Sequence, residues 1–185
     1  MFNKKMFTMT IMLLLVFGLT LGVAAEEFSM TEPFLLTSIG QSPDVDMAAS
    51  LSNRAELDFE FDALAEAEKL EEVESLILVV GGSSKGLGDA GIDSDVEIER
   101  AEALIETARE KEMPIVGMHL GGQARRGDLS DSLIEAVFPE VDYYIVVEEG
   151  DHDEMFSNIA EEYEVAGEFV DATAMAQQPL VDLFE

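Results

Sequence analysis

Apolar and polar positions along the chain follow two periods in turn, one of about two residues and one of about three and a half. Residues 34–42, "FLLTSIGQS", form a short apolar run that ends in a Ser/Gly/Gln loop. Pro43 follows where a first helical turn tolerates it, and Val45 to Arg54 is weakly amphipathic. "ELDFEFD" (56–62) alternates strictly, with Leu57, Phe59 and Phe61 on one side and acids on the other, the pattern of a half-exposed strand at a sheet edge. "SLILVV" (75–80) is apolar throughout, as a central strand covered on both faces should be.

After a Gly-rich loop, Ser94-Asp95-Val96-Glu97 reads as a capping box that opens a helix with Ile98, Ala101, Leu104, Ile105 and Ala108 on one face. "MPIVGMHL" (113–120) predicts a fourth strand. A Gly/Arg loop comes next, and then Leu129, Leu133, Ile134, Val137 and Phe138 fall at helical spacing. "DYYIVVE" (142–148) predicts a fifth strand, Met155 to Tyr163 a helix, "EVAGEFVD" (164–171) a short last strand and 173–184 a closing helix. Strands alternating with helices of about a dozen residues predict one three-layer α/β domain over 26–185 with a mostly parallel sheet. The strand order expected is flavodoxin-like, 2-1-3-4-5, with a Rossmann-like order as the alternative. The alternating strand belongs at an edge and the fully apolar one in the middle.

Residues 1–25 stand apart from this pattern. Lys4 and Lys5 precede an apolar run to Val23, and Val23-Ala24-Ala25 leads into Glu26-Glu27. This is the layout of a secretory signal peptide, so the chain is expected to be exported, extracellular or in the cell envelope, with an uncleaved membrane anchor as the alternative. The absence of cysteine excludes a lipidated leader and any disulfide, and the fold must rest on its core.

Charge narrows the partners. The chain carries 40 Asp and Glu against 10 Lys and Arg, a net charge of −30, and two of those cations lie in the leader. Such a surface repels phosphate backbones and anionic lipid, so neither nucleic acid nor a membrane surface is an expected partner. The few remaining cations are therefore informative. Lys85, Arg125 and Arg126 fall in loops that follow strands, as do both histidines, His119 and His152. Arg54, Lys69, Arg100, Arg109 and Lys111 sit in or beside helices, where acidic neighbours suffice to explain them.

In open parallel sheets ligands bind beyond the carboxyl ends of the strands, near the point where strand order reverses. The candidate site built there comprises Ser38, Gln41 and Ser42, then Gly82, Ser83, Ser84, Lys85 and Gly86, then His119, Gly121, Gly122, Arg125 and Arg126. Glycines let backbone N–H groups approach a ligand, hydroxyls add donors, and Lys and Arg hold negative oxygens. The expected ligand is a small anionic or polar metabolite, and no cofactor is predicted. The alternative for the arginines is pairing with Glu148, Glu149 or Asp151 across the rim. A hydrolase or transferase would use His119 or His152 as its acid–base group, and a divalent cation would be held by Glu149, Asp151 and His152. A binding protein of this kind would hand its ligand to a membrane transporter or another exported protein. An interaction domain is the third possibility.

"GGSSKGLG" resembles the cofactor loop of short-chain dehydrogenases, with Gly82, Gly86 and Gly88 at the family's spacing. That family's Tyr-x-x-x-Lys has no counterpart, since Tyr144 is followed by Glu148 and Tyr163 by Gly167 at the Lys position. The loop also follows the third strand, where that family places it after the first. The stretches "LLTSIGQSPDVDM", "VVGGSSKGLGDAGI", "HLGGQARRGDLSD" and "YYIVVEEGDHD", in this order behind a leader, resemble a family of small exported bacterial proteins classed as a domain of unknown function. That resemblance implies an exported α/β domain and supplies no activity.

Overall fold

The computed structural model describes residues 28–185, and the signal-peptide reading of 1–25 lies outside them. Among the described residues no helix is long and apolar enough to cross a membrane. Six strands, β1 (Phe34–Ile39), β2 (Phe59–Phe61), β3 (Ser75–Val80), β4 (Ile115–His119), β5 (Tyr143–Val147) and β6 (Ala166–Val170), form one parallel sheet in the order 2-1-3-4-5-6. The strictly alternating segment supplies the edge strand β2. The uniformly apolar one, β3, lies between β1 and β4 with Leu36 beside Ile77 and Leu76 beside Ile115.

Six helices cover the sheet: α1 (Asp44–Arg54), α2 (Ser84–Ala90), α3 (Ser94–Glu110), α4 (Asp128–Val137), α5 (Met155–Tyr163) and α6 (Gln177–Asp182). Alternate residues of each strand point to opposite faces. Leu35, Leu76, Leu78 and Ile115 therefore pack with Ala101, Leu104, Leu133 and Ile134 of α3 and α4. Phe34, Leu36, Ile77, Val79 and Met118 pack with Val45 and Ala48 of α1 and Leu180 of α6.

Two local predictions need correction. The Gly-rich segment after β3 is mostly helix: Ser83 Oγ accepts the N–H of Gly86 at 3.0 Å and caps α2, and left-handed Gly91 ends it. Its single buried apolar residue, Leu87, leaves no stripe for periodicity to detect. The cap of α3 is Asp93, whose Oδ1 accepts the N–H groups of Asp95 and Val96 at 3.1 and 3.0 Å. Ser94 already lies inside the helix, and Glu97, the expected capping-box acid, turns into the core.

The strand order reverses between β1 and β3, and there the chain fills its own crevice. The N–H of Gly81 donates to Ile39 O at 2.9 Å, that of Ser83 to Gly40 O at 2.8 Å, and Gln41 and Gly82 form an antiparallel bridge. Gly40 (φ +102°) and Gln41 (φ +55°) make the left-handed turn that brings the two loops together. A Cβ on Gly40 would lie 2.5 Å from Gly81 O, and one on Gly86 only 2.0 Å from Gln41 O. The crossing therefore depends on glycine at both places.

Two neighbouring substitutions separate this steric demand from helix propensity. Gly86→Ala should lose about 3 kcal/mol of stability, the upper end of typical overpacking penalties. Gly88→Ala, where nothing lies within 4 Å, should gain ~0.5–1 kcal/mol because Ala suits a helix interior better than Gly. Urea unfolding of the two variants checks both signs.

Candidate functional site

Beneath the crossed loops lies a buried ion pair. Glu97 is fully buried and Arg100 is 7% exposed, both on the inward stripe of α3. Arg100 Nε and Nη2 donate to the two Glu97 oxygens at 2.9 and 3.0 Å. Glu97 Oε1 also accepts the N–H of Gly40 at 2.6 Å and Gln41 Nε2 at 2.9 Å. Arg100 then donates to Ala65 O at 2.7 Å and to Ser38 O. Burial raises the Glu97 pKa, but the Arg100 guanidinium and the donors from Gly40 and Gln41 outweigh it and hold the carboxyl below its ordinary value. Gln41, predicted as a ligand contact, is thus half engaged in structure, with Nε2 also donating to Ala63 O at 2.9 Å. Ser38 Oγ is buried and has no hydrogen-bond partner among the described residues.

Ser42 and Asp44 stand at the start of α1. Ser42 Oγ accepts the N–H of Asp44 at 3.2 Å, and the buried Asp44 carboxylate receives Arg125 Nε at 3.2 Å. Gly121 packs directly against Asp44 and the Arg125 stem. Arg125 thus pairs with an acid from α1, where the sequence alternative named Glu148, Glu149 or Asp151.

Arg126 is held on every side. Its Nε donates to Asp131 Oδ1 at 2.6 Å, and its Nη atoms form a fork onto Asp153 at 2.9 and 3.0 Å. Nη1 also donates to Gly150 O, and the guanidinium lies 5.6 Å from the Phe156 ring centre. Burial disfavours its charge, yet the two carboxylates more than compensate and raise its pKa. With its side chain 4% exposed, it ties the β4 loop to the β5 loop and has no donor to offer a ligand.

His119 is likewise withdrawn. It is fully buried, with Nδ1 3.0 Å from Val80 O and Nε2 3.2 Å from Gly122 O. Burial lowers its pKa against the pull of those two carbonyls. A ring enclosed between two carbonyl oxygens links β3 to the β4 loop and, fully buried, is out of reach of a solvent-borne substrate. His152 is exposed, and among the described residues neither histidine hydrogen-bonds a hydroxyl group. The cation site drawn from Glu149, Asp151 and His152 is not assembled. Asp151 accepts the N–H groups of Phe156 at 2.7 Å and Ser157 at 3.2 Å, and no group of three ligating side chains is gathered among the described residues.

The remaining predicted residues divide between two depressions separated by the 82–84 segment. One, of about 400 Å³, is lined by Gln41, Ser42, Ser83, Lys85, Gly86 and Asp89. Lys85 pairs with Asp89 and is 84% exposed, so its ammonium is neutralised at the solvent edge. The other, of about 210 Å³, is lined by Gly82, Ser84, Arg125, Arg126, Gly127 and Ser130. Here Gly127 occupies the cap position of α4 and offers no side-chain cap, which leaves the first N–H groups of the helix without an intrahelical partner. Ser130 Oγ accepts the N–H of Gly82 at 2.9 Å. Arg125 gives only Nε to Asp44, and its Nη groups have no partner among the described residues. The contributions of Gly127 and Ser130 were missed in the sequence, where "RRGDLSD" carries no cap residue before the helix to mark its opening.

The fold and this rim define a three-layer α/β domain with a parallel sheet and polar loops at the carboxyl ends of its strands. The chain belongs to the family described as a domain of unknown function, DUF6305, whose model matches residues 31–184. No curated protein matches it. Among solved structures it is similar to a protein from Desulfitobacterium hafniense DCB-2 assigned to the lipolytic G-D-S-L family, with 12% identity, coverage of 74% of this chain and 75% of that one, and a TM-score of 0.35. It is also similar to the SGNH-hydrolase family esterase AlinE4 (12% identity, 86% and 84% coverage, TM-score 0.31). A third is a GDP-L-fucose synthetase from Naegleria fowleri bound to NADP (6% identity, 80% and 51% coverage, TM-score 0.34), of which this chain spans about half. At these scores none bears on the activity of this chain.

The buried pair makes a prediction about acid stability. Glu97→Gln should lose about 3–5 kcal/mol at neutral pH, because Arg100 is left charged and unpaired in the core. Since the folded carboxyl titrates below its ordinary value of 4.5, the gap between wild type and variant should be full above that value. It should narrow as pH falls further and the wild-type carboxyl takes up its proton. Urea unfolding of both proteins across this range measures it.

Proposed function

We propose that the protein binds a small anion, of the size of a phosphate or a short carboxylate, in the depression between residues 82–84 and 124–130. Arg125 carries this reading. Its stem is fixed by the single bond to buried Asp44, and its two Nη groups, which have no partner among the described residues, line a concave, polar surface of about 210 Å³. A planar guanidinium held in this way can fork onto two ligand oxygens. The uncapped start of α4 adds N–H donors and Ser84 a hydroxyl, while Asp128, which also lines the depression, leaves Arg125 as the group that attracts an anion there. The volume is below that of most drug-sized ligand pockets, which favours a compact anion over a nucleotide. In a chain of net charge −30, a guanidinium with unused donors is supported better by an anionic ligand than by long-range attraction alone. Handover of the ligand to a membrane transporter or another exported protein fits the same reading. The hydrolase or transferase alternative loses His119, which is enclosed by carbonyls, and would rest on the exposed His152.

Thermal unfolding in inorganic phosphate, sulfate, acetate and malonate tests the proposal. At about 100 times its dissociation constant a bound anion adds ~2.7 kcal/mol, which raises the melting temperature by several degrees. Arg125→Gln and Ser84→Ala should each reduce that shift, and Lys85→Ala should leave it unchanged. No shift with any of the four, or a shift that survives Arg125→Gln, contradicts the proposal.

A further inference from the structure

The cations of the described residues are almost all matched by acids. Lys69 pairs with Glu60, Lys85 with Asp89, Arg100 with Glu97, Arg109 with Asp142, Lys111 with Glu71, Arg125 with Asp44 and Arg126 with Asp131 and Asp153. Arg54 is the exception, although 40 acids are available in the chain. It stands in the last turn of α1, where the helix dipole favours a cation but provides no partner for its five donors.

Arg54 also closes one end of a groove. Met47, Ser50, Leu51 and Arg54 recur at helical spacing on one stripe of α1, and Thr173 and Ala174 form the facing wall of a groove of about 380 Å³. Met47 is 40% exposed, whereas Leu51 on the floor is buried. Thr173 is fixed by its hydroxyl, which donates to Leu120 O at 2.9 Å, so the facing wall is anchored to the loop after β4. A methionine at the lip adds a soft surface that adapts to alkyl chains.

We propose that this groove binds an amphipathic monoanion, a medium-length alkyl carboxylate, with the chain along Met47 and Leu51 and the carboxylate forked onto Arg54. The charge of the groove sets the orientation. Asp46 lies at the opposite end of the α1 stripe and repels a carboxylate, and Arg54 attracts it. Arg54 is exposed, so a neutral alkyl ligand would gain nothing from its guanidinium, and a compact anion would leave the apolar floor uncovered. The ligand that satisfies both ends carries a tail and a single negative head. This site stands apart from the Arg125 depression, with which it shares no lining residue.

Calorimetric titration of the chain with butanoate, hexanoate and octanoate, below micelle-forming concentrations, and with octanol tests the inference. Affinity should rise about threefold to fourfold for each methylene that enters the groove, the equivalent of ~0.8 kcal/mol per buried CH2. Octanoate should bind at least tenfold more tightly than octanol, and Arg54→Gln should abolish that difference while octanol binding persists. Met47→Glu should weaken every member of the series. Affinity independent of chain length overturns the proposal, as does equal binding of octanoate and octanol or full octanoate binding by Arg54→Gln. Loss of octanoate binding in Arg125→Gln would instead place the carboxylate at the first site.

Discussion

The Glu97–Arg100 pair is the point at which the polar rim of this protein is tied to its core. Two opposite charges buried on the inner stripe of α3 are tolerable only if every remaining donor and acceptor is used, because each unpaired charge in the interior costs several kcal/mol. The sequence meets that demand with backbone groups. The N–H of Gly40 and the carbonyls of Ser38 and Ala65 all turn toward the pair, and Gln41 completes it. The end of β1 is therefore held by charge-assisted bonds in addition to the apolar packing of Ile39. The left-handed turn at Gly40 and Gln41 follows from that attachment.

The position of the candidate sites follows in turn. Once the turn at 40–41 is pulled over α3, the loop after β3 crosses it, and the reversal point of the strand order is filled by backbone hydrogen bonds. Ligands of parallel α/β domains commonly sit at that point. Here a depression of about 400 Å³ remains beside the crossed loops, and the one that offers a guanidinium with unused donors lies one strand further, toward the loop after β4 and the start of α4. The rest of the rim is consumed in holding loops together: Arg126 joins three segments, and His119 joins two. A strongly acidic chain can place a guanidinium among carboxylates at little risk, so Arg126 serves as a structural rivet. Arg125, with one acid and one bond, retains donors for other use.

The sheet was legible because its information is local. A uniformly apolar "SLILVV" and an alternating "ELDFEFD" state which strand is central and which is at the edge, and the order 2-1-3-4-5 follows, extended by β6. The errors have separate physical sources, the first of which is that several side chains compete for one backbone donor. Ser94-x-x-Glu97 has the form of a capping box, but Asp93 one residue earlier takes the helix N–H groups, and Glu97 is freed for the interior. Helix α2 buries one apolar residue in seven, Leu87, and shows no period at all. The rim of the sheet was found from its Gly, Ser and Arg residues. Which of its cations keep unused donors depended on Asp44, Asp131 and Asp153, acids 81, 5 and 27 residues away along the chain, which no spacing rule could pair. Arg54 was assigned to acidic neighbours by its helical context, and among the described residues it forms no ion pair with any acid.

Native-state amide hydrogen exchange at Gly40, Gly81 and Ser83 reports directly on whether the reversal point is closed by the chain itself. If Glu97 and the crossed loops seal it, these three amides should exchange only through global unfolding, with a protection free energy equal to the unfolding free energy from urea and the same denaturant dependence as the β3 core. Exchange through a local opening, fast and insensitive to denaturant, would show a mobile crevice at the strand reversal. It would return the candidate ligand site to that crevice.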